Sequence, residues 1–192
     1  MTRFVDRGAV FAGWVGIGMA VMIAIGLELI VAVQSLVFLA APVAGLLVGW
    51  YANVRSERRR PIRRVVSNAA WAGLVTGLSL AILYVVLRLL FIYADNGYPE
   101  FNRTDSRGAP IAATCQAGPA CTYARYVSAG RTDELAAAGV TDAATFERYV
   151  LREQANGALL LTLVTLAGAL VGGAIAAGTG GQHRVEAAAV PG

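Results

Sequence analysis

Apolar residues in this chain fall into four long runs, and the lengths of those runs decide its class. The stretch 9–34 is apolar except for Glu28. A second run, 36–52, follows with almost no loop, so a turn is expected around Gln34 and Ser35. The third, Asn68 to Tyr93, is broken only by Arg88, and the fourth extends from Gly157 to Gly178. At about 1.5 Å per residue, such runs suit a hydrocarbon core of about 30 Å. The expected fold is all-α: a polytopic membrane protein with four transmembrane helices as two hairpins. A signal peptide is the competing reading of the start. The first run is longer than a typical h-region of about 7–15 residues, and the segment 31–35 lacks small residues at both cleavage positions.

This pattern sets the organisation. A cytoplasmic N-terminus (1–8) leads to transmembrane hairpin 1 (9–52), an Arg-rich cytoplasmic loop (53–67) and transmembrane helix 3 (68–93). An extracytoplasmic loop (94–156), transmembrane helix 4 (157–178) and a cytoplasmic C-terminal tail (179–192) complete it. Pro42 removes a backbone donor within the second span and is expected to kink it. The loop reads as irregular through Pro99, Gly108, Pro110, Gly118 and Pro119 and as helical afterwards, with Thr141 as an expected N-cap. No breaker separates Phe146 from Gly157, so this last helix is expected to continue into the fourth span. The loop itself is too short to carry much of a core.

Composition agrees: 57% of residues are hydrophobic, 15% are charged and the mean hydropathy is +0.59. The basic residues are all Arg, with no Lys, alongside abundant Ala, Gly and Val, a bias of GC-rich genomes that points to a bacterial source. A net charge of +4 would suit nucleic acid were it spread over a soluble face. Instead Arg55, Arg58, Arg59, Arg60, Arg63 and Arg64 cluster in one juxtamembrane segment. That placement excludes nucleic acid as the expected partner and reads as a topology anchor touching anionic lipid headgroups. Arg3, Arg7, this segment and Arg184 fall on one side of a four-span arrangement, and Trp14, Trp50 and Trp71 sit at the same edge. Both termini are therefore expected in the cytoplasm, in a bacterial inner membrane.

Cys115 and Cys121 would then face an oxidising compartment and are expected to form a disulfide. Metal ligation is not expected, because the lone His183 falls on the other side. Asn102 opens a glycosylation sequon that a bacterial source would leave unused, and Tyr93, Tyr98, Tyr123, Tyr126 and Tyr149 are expected to anchor or pack locally.

Two finer patterns concern the spans. Ala44-Gly-Leu-Leu-Val-Gly49 matches Ala167-Gly-Ala-Leu-Val-Gly172 at five of six positions, and Phe11-Ala-Gly aligns with Trp71-Ala-Gly at an offset of 60. These matches suggest a parallel internal repeat of hairpins. Small residues also recur every fourth position: Gly16, Ala20 and Ala24; Ala41, Gly45 and Gly49; Ala69, Gly73, Gly77 and Ala81; Gly168, Gly172 and Ala176. Such stripes let helix backbones approach closely. Glu28 and Arg88 continue two of the stripes at equal depth, so they are expected to face helices and pair as an intramembrane ion pair. The alternative for each is a register-fixing or snorkelling role.

No phosphate-cradling loop, His-Glu-x-x-His or nucleophile elbow occurs, and no catalytic residue, cofactor or metal is expected. The expected function is that of an accessory or scaffold membrane protein, forming a homo-oligomer or joining other membrane subunits. A small transporter or channel using Glu28 and Arg88 is the alternative.

Overall fold

The structure, a computed structural model, describes residues 4–30, 34–56, 61–95 and 115–188, with 30, 34 and 180–188 as backbone only. Every regular element among them is helical: α1 (Arg7–Ala24), a π-helical segment (Ile25–Ile30), α2 (Gln34–Val54), α3 (Ile62–Ala94), α4 (Pro119–Ser128), α5 (Thr132–Ala137) and α6 (Ala143–Ala188). Four stretches, Arg7–Leu29, Ser35–Val54, Ile62–Ala94 and Ala143–Thr179, are long and apolar enough to cross a membrane. The chain divides into two compact units, residues 1–84 with 158–192 and residues 85–157.

Boundaries differ from the hydropathy reading in three places. Gln34 and Ser35, expected as a turn, already belong to α2, and 31–33 lie outside the described residues. α3 begins at Ile62, so Arg63 and Arg64 form its first turn and Asn68 lies well inside the helix. α6 is capped by Asp142 in place of Thr141. The Thr145 N–H donates to Asp142 Oδ1 at 2.8 Å, while the Thr145 hydroxyl accepts the N–H groups of Thr141 and Asp142 at 3.1 and 3.0 Å. A cap must reach the amide three residues on, and Asp142 stands at that distance. α6 then continues without a break through the fourth span, as expected, and α2 remains helical through Pro42.

In the first unit, side-chain size is distributed as expected of helices packed against lipid. Along α2 the buried positions are Val37, Ala41, Ala44, Val48 and Ala52, whereas Leu36, Leu39, Val43, Leu47 and Val54 point outward. Large apolar groups gain nothing by clustering inside when the solvent is itself hydrocarbon, so small residues take the interior. α1 and α2 pack side by side, with Ala9, Ala12, Val48, Ala52 and Ala72 sharing one cluster.

The expected small stripes are buried or half-buried throughout, and two of them meet. A Cβ added at Gly45 would strike the Thr165 carbonyl, and one at Gly49 the Ala169 carbonyl; at Gly168 and Gly172 it would strike the carbonyls of Pro42 and Leu46. Residue numbers rise together along both helices, so α2 and α6 cross in parallel, backbone against backbone. α3 approaches α6 in the opposite sense, Gly73 near Leu166 and Ala169, Gly77 near Thr162. α1 lies along α3 with Gly16 against the Thr76 hydroxyl.

The second unit has a core the sequence reading did not expect. Ile92, Leu135, Val140, Phe146 and Val150 form a buried cluster, with Tyr123 and Tyr126 packed against it. The segment obtains this core from its flanking helices, since Ile92 comes from α3 and Phe146 and Val150 from α6. The Tyr123 and Tyr126 rings lie 5.9 and 5.5 Å from Phe146 in tilted geometry. Gly130 and Gly139, at φ 75° and 74°, stand just beyond α4 and α5 in the left-handed conformation that ends helices.

Candidate functional site

Two charged side chains within the spans are buried as expected, Glu28 at 5% exposure and Arg88 at 4%. Glu28 falls in the π-helical segment at the end of α1. Such wider turns appear mostly as single-turn insertions, often at functional sites. Glu28 belongs to the first unit and Arg88 to the second. Both side chains are engaged by other groups. Tyr84, one turn before Arg88 on α3, is also buried, and its ring meets Phe38 edge-on with centroids 5.7 Å apart.

Three threonine hydroxyls within the spans are satisfied locally. Thr76, Thr162 and Thr165 each donate to the carbonyl four residues earlier, at 2.8, 2.9 and 2.7 Å. The bond back to the same helix lets a polar side chain sit at a tight crossing with no outside partner.

Residues that sequence reasoning passed over build a polar knot at the other end of α1. The Asp6 N–H donates to Asn68 Oδ1 at 3.0 Å, and Asn68 Nδ2 donates to Asp6 Oδ2 at 2.8 Å. Asp6 stands at the N-cap of α1 yet makes no side-chain cap bond, because its carboxylate is turned to Asn68. Arg64 Nη1 is 3.8 Å from Asp6 Oδ1. Asn53 Nδ2 donates to the Gly49 and Val65 carbonyls at 3.1 and 3.3 Å, tying α2 to the start of α3. Asn68 is fully buried, and a buried amide is tolerated only when bonded. The one signal available was an Asn at the start of an apolar run.

Of the six arginines read as a headgroup site, Arg58, Arg59 and Arg60 lie outside the described residues. Arg55 lies over the Phe11 and Tyr51 rings at 5.7 and 5.6 Å and donates from Nε to the Tyr51 hydroxyl at 3.1 Å. Arg63 is exposed. Arg55 and Arg64 therefore serve intramolecular contacts as well as carrying charge. Trp14, Trp50 and Trp71 are exposed at 69, 40 and 41%, as residues of an interfacial belt would be.

In the second unit Cys115 and Cys121 are at disulfide distance, their Cα atoms 5.5 Å apart. The Tyr93 hydroxyl donates to Glu147, and the Tyr123 hydroxyl donates to the Thr141 carbonyl at 2.9 Å. The tyrosines expected to pack locally do so at 123 and 126; Tyr98, Asn102 and the His183 side chain fall outside the described residues. Arg131 lies 4.5 Å from the Tyr126 ring centroid and pairs with Glu134 at 2.7 Å. No group of three or more metal-binding side chains occurs among the described residues. No protein-family model, curated protein or solved structure matches the chain.

Proposed function

We propose that this protein is a non-catalytic scaffold or accessory subunit of a bacterial cytoplasmic membrane, with both termini in the cytoplasm and segment 94–156 outside. The observation that carries the reading is the crossing of α2 and α6, where four glycines put backbone against backbone. A helix pair that close leaves no room for sliding and suits a rigid framework. The Cys115–Cys121 pair supports an oxidising outer side, and Arg55, Arg63 and Arg64 support contact with anionic headgroups on the inner side. A homo-oligomer or other membrane subunits are the partners this framework would serve. Extraction in mild detergent, cross-linking and identification of what copurifies tests it. One defined assembly, unchanged by Glu28→Gln, is expected; a monomer with no partner in native membranes contradicts the reading.

The matched hexapeptides belong to this proposal too. Gly45 and Gly168 occupy equivalent positions in the two segments, and each meets the residues three before and one after the other's glycine. We read the match as a shared crossing motif and not as duplication of whole hairpins. A single two-fold axis between α2 and α6 would hold α1 and α3 on opposite sides, yet Gly13 and Gly16 pack on Trp71, Val75 and Thr76.

One observation favours the alternative of a small transporter or channel: Glu28 is a buried carboxylate in a π-helical segment of a span. In that reading Glu28 lines the path. Proteoliposome flux abolished by Glu28→Gln supports it; flux absent from the unaltered protein overturns it.

A further inference from the structure

The second unit contains a cleft of about 150 Å³. One wall is a single face of α6, where Phe146, Tyr149, Val150, Glu153 and Gln154 follow helical spacing. Phe146 and Val150 are apolar and buried, and the next position on that face would continue the core if it were apolar. It is Gln154, only 7% exposed, and its Oε1 has no hydrogen-bond partner among the described residues. A buried carbonyl left unbonded is unfavourable, so a donor from outside the chain is wanted there.

The charges around the cleft indicate what kind of donor. Arg131 lies over the Tyr126 ring and forms an exposed pair with Glu134, so these two residues together add no net charge to the rim. Glu153 lines the same cleft and has no ion pair among the described residues. The Tyr149 ring stands one turn before it. An acceptor, an unpaired carboxylate and an aromatic ring over an apolar floor are complementary to a small cation with N–H donors. The wall already accommodates one cation on an aromatic face in Arg131.

The geometry points to this cleft as a binding site for a small primary ammonium, its N–H groups donating to Gln154 Oε1 and Glu153 while its alkyl part lies on Phe146 and Val150. The ligand is a free amine of a few carbons, a size the cleft volume suits.

Ligand-observed NMR on the full chain in nanodiscs tests this, with butylammonium as the probe and 1-butanol and butyrate as comparators. Saturable butylammonium binding at least about tenfold tighter than 1-butanol is expected, together with no butyrate binding. Gln154→Leu and Glu153→Gln should each weaken it by about tenfold, while Glu28→Gln leaves it unchanged. Gln154→Leu replaces the buried amide with an apolar group of similar size and so keeps the fold, which exchange protection of the α4 and α5 amides checks. Equal binding of 1-butanol, retained binding in Gln154→Leu, or no saturable binding overturns the assignment. Preference for the tripeptide Gly-Lys-Gly over butylammonium also overturns it, in favour of a protein side chain.

Discussion

In the first unit Gly45, Gly49, Gly168 and Gly172 bring backbone to backbone, whereas the 85–157 unit is filled by Phe146, Leu135 and the Tyr123 and Tyr126 rings. Leucines face outward along α2, but Leu135 is buried at the centre of the second cluster. The difference is the one expected between packing against lipid and packing against water. Against lipid tails an inward leucine gains little, and close approach of small residues supplies dispersion contact. Against water the burial of large rings drives folding, and charges such as Arg131 and Glu134 remain outside as exposed pairs. The 85–157 unit is thus packed in the manner of a fold built against water, around large buried side chains.

Substitutions sharpen this contrast in decreasing order of effect. Gly45→Leu should be the most damaging, destabilising the first unit by more than about 3 kcal/mol, because a side chain there meets a carbonyl that cannot rotate away. Loss of the folded fraction in a detergent-denaturation series measures it; a stable variant would mean that the helices separate easily. Leu135→Ala should cost about 2–3 kcal/mol, and only in the second unit, which limited proteolysis between residues 119 and 142 would report. Cys121→Ser opens a loop with a sequence separation of six and should cost about 2 kcal/mol by chain entropy, again in the second unit alone. If the first unit melts with it, the two are not held independently.

The smallest effect concerns the exposed cap of α6. Hydrogen bonds from the Thr145 N–H and hydroxyl hold the Asp142 carboxyl below its usual pKa of 3.8. A depressed carboxyl pKa contributes stability that is present above the unfolded value and lost as pH falls through the folded one. The first turn of α6 should therefore fray only below about pH 4. Exchange of the Thr145 amide against pH checks this, and fraying that begins nearer neutral pH would contradict it.

The sequence showed the spans and their inner faces because both are local and periodic. Ala41, Gly45 and Gly49 repeat every fourth position whatever they pack against. The burial of Glu28 and Arg88 was legible for the same reason, as each extends such a stripe. The Asp6–Asn68 pair was not, since 62 residues separate its members and no period links them. Thr141 and Asp142 are both competent caps, and only the position of Thr145 decides between them. Gln154 was not legible, because one amide at the end of an amphipathic face resembles an exposed position in the sequence, and only the fold buries it. The core of the second unit is not legible in the loop's own residues, because Ile92 of α3 and Phe146 and Val150 of α6 complete it.

The central claim, that the two units are held by different physics, is tested most directly by hydrogen–deuterium exchange of the Gly45→Leu variant in nanodiscs. Amides of α1, α2 and the first unit's part of α6 should lose protection, while those of α4, α5 and the first turns of α6 keep theirs. Equal loss in both units, or undiminished protection in the first, would contradict the account.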